Sequence, residues 1–293
     1  MLSTGCMLAS PSQAVVGPGP TALGAETVTF PSASGSTIHA WFVRGRSGAG
    51  AILLLHGAGA NRTAMLSRAL FFKRQGYTVL APDFQANGES PGHHVTFGLL
   101  ESFDARAAAN FLRRVAPGDR IGVIGVSMGG AATLLGRAPL RADALVLESV
   151  YPTIRQATSD RLATWFGPLA GLGRLLTPAL IDVVGSDIGV TADELRPIAR
   201  IGDVHEPVMI LSGTEDPYTP LAEADSLYAH APEPKTFWAV PGATHEDLHA
   251  YAPAEYERRV GRFFARYLRG SKAVTAQTAA ATTPVGAEAP KDP

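Results

Sequence analysis

The sequence predicts an α/β fold with a mostly parallel central sheet and helices on both faces. Three observations carry that reading. Short apolar runs of strand length, such as Ala51 to His56 and Ile121 to Val126, alternate with longer stretches of helical periodicity. These runs are apolar throughout rather than at every second residue, as strands buried on both faces must be. Polar, chemistry-bearing residues recur just past the strand ends, where such a sheet gathers its functional loops.

The elements follow in order. Residues 1–24 are rich in Ser, Pro, Gly and Ala and are expected to lack fixed structure. Glu26 to Phe30 and Thr37 to Val43 alternate β-branched or aromatic residues with polar ones, a hairpin around Ser32–Ser36. Ala51 to His56 is a central strand that ends in Gly57-Ala58-Gly59. Asn61 is placed to cap a helix reaching Gln75, which Gly76 terminates. Tyr77 to Ala81 is the next strand. Leu100, Phe103, Ala107 and Phe111 then mark one face of a helix closed by Pro117-Gly118. Ile121 to Val126 and Asp143 to Leu147 are strands. Tyr151 to Ala199 breaks the rhythm and reads as a small cap insertion over the strand ends, with Gly167-Pro168, Gly171 and Gly173 interrupting any long helix. Val208 to Leu211 resumes the sheet. A helix face at Leu221, Ala224, Leu227 and Tyr228 follows, then a last strand from Thr236 to Val240 and a closing helix from about Pro253 to Leu268. The domain therefore spans about 25–270, and the Ala/Thr/Pro tail at 271–293 has little to bury.

Gly125-Val126-Ser127-Met128-Gly129 fits G-x-S-x-G, the turn that holds a nucleophilic serine between a strand and a helix. A serine in that strained turn requires small neighbours two residues away, and glycine occupies both places. The amide of Met128 then opens a helix, where an N–H can hold developing negative charge. A glycine-rich packing turn is the bland alternative; the flanking strand and helix favour the elbow. Asp216 follows a later strand and His245 the last one. Serine, acid and histidine thus come in the order nucleophile–acid–base.

GVSMGG, HGAGANR, GTEDPYTP and PGATHEDL together resemble a serine hydrolase of the α/β-hydrolase superfamily, near the serine-aminopeptidase and monoacylglycerol-lipase-like group, over roughly residues 26–269. The resemblance implies an α/β-hydrolase fold and a hydrolase that cleaves carboxylic esters through an acyl-enzyme. Ser127 would be nucleophile, His245 base and Asp216 the residue that orients the imidazole. The Met128 and Ala58 amides would form the oxyanion hole. An imidazole with its ordinary pKa of about 6.5 suits the base, because a serine hydroxyl is a poor nucleophile until its proton is taken. Amidase, aminopeptidase or thioesterase chemistry on the same triad is the alternative, as is a non-catalytic binding protein of this fold. Glu215 and His249 are the rivals for acid and base. The family position before Pro217 favours Asp216, and Gly-Ala-Thr-His favours His245. His56 reads as a structural loop histidine, and Asp83 as the brace of its own turn. Related hydrolases often carry D-x-x-G-x-G-x-S after the fourth strand. Here the middle glycine is Ala86 and the frequent arginine is Gln85, which leaves that loop's shape open.

Composition narrows the rest. A hydrophobic fraction of 46% is that of an ordinary globular domain. A net charge of −1 gives no electrostatic case for nucleic acid. One cysteine, Cys6, excludes an internal disulfide and a multi-thiolate metal site. His93 and His94 are adjacent, a poor geometry for chelating one ion, so neither metal nor cofactor is expected. The expected partner is a small-molecule ester, with acyl-lipid among the options suggested by Trp165 and Phe166 in the cap. No apolar run approaches the ~20 residues of a membrane span. Leu2-Ser3-Thr4-Gly5-Cys6 resembles the end of a bacterial lipoprotein signal, which would place the protein in the cell envelope; a plain cytoplasmic leader is the other reading.

Overall fold

The computed structural model describes residues 9–269. Its centre is an eight-stranded sheet. Strands β2 (Glu26–Pro31) and β3 (Thr37–Val43) form the expected hairpin, and β3 runs antiparallel to β5 (Thr78–Pro82). From there on every pairing is parallel. β4 (Ala51–Leu55) lies between β5 and β7 (Ile121–Val126), and β8 (Ala144–Glu148), β9 (Val208–Gly213) and β10 (Lys235–Val240) continue outward in chain order. Strands β4, β5, β8 and β9 are buried along their whole length, which is why their sequences are apolar without alternation.

The two faces carry separate cores. One packs the α2 helix (Glu101–Val115) and the α3 helix (Met128–Leu134) on residues such as Leu53, Leu55, Val123 and Leu147. The other packs α1 (Leu66–Arg74) and α8 (Pro253–Leu268) on Ile52, Leu54, Ile124 and Val146. Neighbouring residues of β4 and β7 thus point to opposite cores, as the two-residue pleat requires. Asn61 caps a short 3-10 turn at Arg62–Met65 through a 3.0 Å bond from the Thr63 amide, and α1 proper begins only at Leu66. The second core also holds a buried polar bridge. Arg68 pairs with Glu148 at 2.6 Å, and Tyr256 donates to the same carboxylate.

The insertion is a helical hairpin, α4 (Ile154–Phe166) and α5 (Ala170–Ile188). Thr153 caps α4, and Gly167, at φ +50°, begins the turn between them. Contrary to expectation, neither Gly171 nor Gly173 interrupts α5, which also runs through Pro178. Gly173 is a packing residue. A Cβ there would sit 2.8 Å from the Leu162 carbonyl oxygen, so its absence lets the two helices close on each other. By length and composition alone the stretch 154–188 is apolar enough to cross a membrane, an exception to the reading of the sequence. Here it is folded back on itself at Gly167.

Residues 9–24 also differ from expectation. Ser12–Gln13 (β1) pairs in parallel with Asn87–Gly88 (β6), and Leu23 is fully buried in the second core. Glu89 accepts bonds from the Val16 and Gly17 amides, and Trp41 Nε1 donates to the Gly17 carbonyl at 3.0 Å. A segment poor in apolar residues is held because the body supplies partners for its backbone. Cys6 and the tail at 271–293 lie outside the described residues.

Candidate active site

Ser127 sits where β7 gives way to α3, at φ 49° and ψ −113°. That is strained backbone for a residue with a side chain. The strain is imposed by packing on both sides. A Cβ on Gly125 would lie 2.6 Å from Gly130 Cα, and one on Gly129 would collide with the Leu55 carbonyl oxygen. The Ser127 amide donates to the Glu148 carbonyl at 2.8 Å, tying the turn to the end of β8. Met128 occupies the first position of α3, where amides have no partner within the helix.

Asp216 and His245 come together because β9 and β10 end in register, Gly213 opposite Val240. The loops beyond stay side by side. The Thr214 amide donates to the Val240 carbonyl, and the Glu215 amide to the Ala243 carbonyl, both at 3.0 Å. His245 Nδ1 is 2.8 Å from Asp216 Oδ2. Asp216 is only 4% exposed. The Tyr218 and Thr219 amides donate to its Oδ1 at 2.9 Å, and Thr219 Oγ1 donates to Oδ2 at 2.7 Å. Burial pushes the Asp216 carboxyl up, but the hydrogen bonds from His245 and Thr219 outweigh it and hold the group below the usual carboxylate range. With Nδ1 directed to Asp216, Nε2 is the nitrogen of His245 left for a reacting group.

The rivals are placed elsewhere. Glu215 is exposed, while its neighbour Asp216 is buried. His249 is buried on the short helix α7 (Leu248–Tyr251), its ring tilted against that of Tyr256 and its Nε2 3.2 Å from Glu257. Burial holds its imidazole below the ordinary histidine range. His56 accepts from the Phe84 amide at Nε2, 3.0 Å, while Nδ1 faces the Gly57 carbonyl at 2.8 Å, so it bridges two loops as a neutral ring. Asp83 holds Arg62 by an ion pair and accepts from the Arg62 and Glu89 amides. The loop beyond it keeps a glycine-like geometry at Ala86, φ 60°, although the residue is alanine. His93 is exposed, and among the described residues no group of three or more His, Cys, Asp or Glu is placed to hold a metal ion.

Ser127, His245, Met128 and Ala58 all line one cavity of about 930 Å³, its open mouth included. The cap forms the opposite wall. Of the two cap residues singled out in the sequence, Trp165 lines it and Phe166 does not, because one residue along a helix turns the side chain by about 100°. Sequence reasoning missed Leu180, Ile181, Val184 and Ile188 of α5 on the same wall, although their helical spacing was visible. It also missed Arg161 and Tyr218, which no local pattern singles out. The Arg161 guanidinium lies 4.6 Å from the Tyr218 ring centre, and that ring meets His245 edge-on at 5.5 Å.

A carboxyl pair also joins cap to core. Asp160 of α4 faces Glu223, in the first turn of α6 (Leu221–His230). Burial, then the charge and hydrogen bond of Asp160, and then the more distant Asp216 push Glu223 up to about 8. Burial likewise raises Asp160. The pair is therefore favoured with a proton between its members.

A family model described as the alpha/beta hydrolase family matches residues 52–259. An uncharacterized protein of Mycobacterium tuberculosis is 30% identical over 225 residues, covering 75% of this chain and 72% of the relative. The alpha/beta hydrolase domain-containing protein WAV2 of Arabidopsis thaliana is 28% identical over 267 residues, covering 81% and 82%. Among solved structures, an esterase of Pyrococcus furiosus superposes with a TM-score of 0.74 at 22% identity, over 89% of this chain and 98% of that one. At that identity the likeness bears on the fold.

Proposed function

Because the chain belongs to the alpha/beta hydrolase family, we propose that it is a serine hydrolase that cleaves carboxylic esters through an acyl-enzyme. One observation carries the reading: His245, held 2.8 Å from the buried Asp216, opens onto the same cavity as the strained Ser127. On this reading, His245 Nε2 takes the Ser127 hydroxyl proton as Oγ bonds to the ester carbonyl carbon. Asp216 keeps the proton on Nδ1 and stabilises the imidazolium. The Met128 and Ala58 amides hold the oxyanion, each worth about 3 kcal/mol at the transition state. His245 then gives its proton to the departing alkoxide oxygen. A water, deprotonated by the same nitrogen, attacks the acyl carbon; as the bond to Ser127 Oγ breaks, His245 returns that proton to Oγ and the carboxylic acid leaves.

The serine-aminopeptidase reading is less well supported. An α-ammonium substrate needs an acidic partner, and among the described residues the cavity is lined by Arg161 and by no carboxylate. A fluorophosphonate should label wild type at Ser127 and fail on Ser127→Ala. The same variant should lose about 10⁴- to 10⁶-fold in kcat on chromogenic esters. Retention of a tenth of wild-type activity would refute the assignment, and faster turnover of aminoacyl amides than of esters would favour the second reading.

A further inference from the structure

Arg161 is unusual in its surroundings. Among the described residues lining the cavity it is the one that bears a permanent charge, set on a wall otherwise made largely of Leu, Ile, Val and Trp side chains. It is half-buried, and among the described residues no carboxylate pairs with it. Asp160, next to it in the chain, and Asp216, two residues before Tyr218, both have other partners. Asp160, its chain neighbour, shares its proton with Glu223, and Asp216 is saturated by His245 and Thr219. The Tyr218 ring holds one face of the guanidinium and satisfies none of its N–H donors. Those donors are left for solvent or for a ligand, within about 10 Å of the His245 ring through the shared Tyr218 contact.

We propose that Arg161 is a specificity residue, and that the substrate is a carboxylic ester carrying a second, free carboxylate that Arg161 binds while the ester lies at Ser127. The proposal rests on the ester-hydrolase reading above. A guanidinium matches a carboxylate with two parallel N–H···O bonds, and the apolar wall strengthens that pairing relative to water. One cation facing no counter-charge balances one negative charge, which favours a monocarboxylate over a phosphate dianion. Apolar residues between Arg161 and Ser127 would take the carbon chain joining the two groups.

The test compares monoalkyl esters of dicarboxylic acids, and acetate esters of hydroxy acids, with neutral alkyl esters of equal length, followed by proton release. The two anionic series distinguish a carboxylate on the acyl side from one on the alcohol side. Wild type should favour one anionic series. In Arg161→Gln the ratio of kcat/KM for anionic over neutral esters should fall about 10- to 100-fold, the scale of a hydrogen bond to a charged group. Arg161→Lys should fall between, because it keeps the charge but not the fork. Raised salt should shrink the wild-type ratio. An unchanged ratio, with both substrates losing equally, would overturn the proposal and make Arg161 only a latch of the cap on Tyr218. Calorimetric binding of the monoester to Ser127→Ala, with and without Arg161→Gln, reads recognition without turnover. Binding that depends on Arg161 would uphold the anion site even if the ester chemistry failed, and binding indifferent to Arg161 would refute it even if esters are cleaved.

Discussion

The carboxyl pair between cap and core sets a pH dependence of stability whose sign can be worked out. Glu223 is held protonated in the fold to about pH 8, against a free value of 4.5. A raised folded value means that the fold binds a proton which the unfolded chain has already released. Stability from this group is complete below pH 4.5 and is lost as pH rises towards 8. One retained proton costs up to ~1.4 kcal/mol per pH unit across that window. Solvent at the cap–core seam screens part of it, leaving about 1–3 kcal/mol. Glu223→Gln removes the titration while its amide can still donate to Asp160. Urea unfolding at about pH 5 and about pH 8.5, on both proteins, supplies the four free energies needed. Wild type should lose about 1–3 kcal/mol more than the variant on going to the higher pH. Groups that run the other way are common to both and cancel. Burial depresses the histidines His56 and His249, so they add stability as pH rises through the ordinary imidazole range. Asp160→Asn should flatten the same curve. Parallel pH dependence in wild type and both variants would refute the shared proton.

Three further outcomes are expected. His245→Gln should abolish ester turnover, whereas His249→Gln should keep most of it and lose stability, since His249 packs on Tyr256 and Phe71; steady-state kinetics and thermal melts check both. Leu23→Ala should cost about 2–5 kcal/mol in urea unfolding, because this leader residue is 0% exposed; a change within 0.5 kcal/mol, the scale of an ordinary surface substitution, would show the leader to be detachable. Trp165→Ala should change kcat/KM unequally for short and long acyl esters, by roughly 1–3 kcal/mol between extremes, with little change in melting temperature, since Trp165 is 56% exposed while lining the cavity.

Much of this molecule is legible in its sequence. The apolar runs at Ala51 and Ile121 are strands because burial on both faces leaves no polar positions. The glycines at 125 and 129 are required by contacts within a few residues of Ser127 or with the adjacent strand. Asp216 and His245 follow their strands, and the family resemblance is what prefers them to Glu215 and His249. The strands and the two glycines follow from local sterics or from the period of a strand. What the sequence left open depends on partners far away in the chain. Residues 9–24 look unstructured by composition, yet Glu89, Trp41 and Arg62 hold their backbone from distant positions. Gly173 looks like a hinge until Leu162 is seen against it. Phe166 and Trp165 are equivalent as letters, and only the rotation of α4 over the sheet puts one of them in the cavity. Arg161 and Glu223 draw their character from what surrounds them, an apolar wall in one case and a facing carboxyl in the other. The sequence alone determined the fold and the chain order of Ser127, Asp216 and His245. Which side chains face the substrate, and which acids keep a proton, was decided by tertiary structure, because orientation and dielectric surroundings arise only when distant segments pack together.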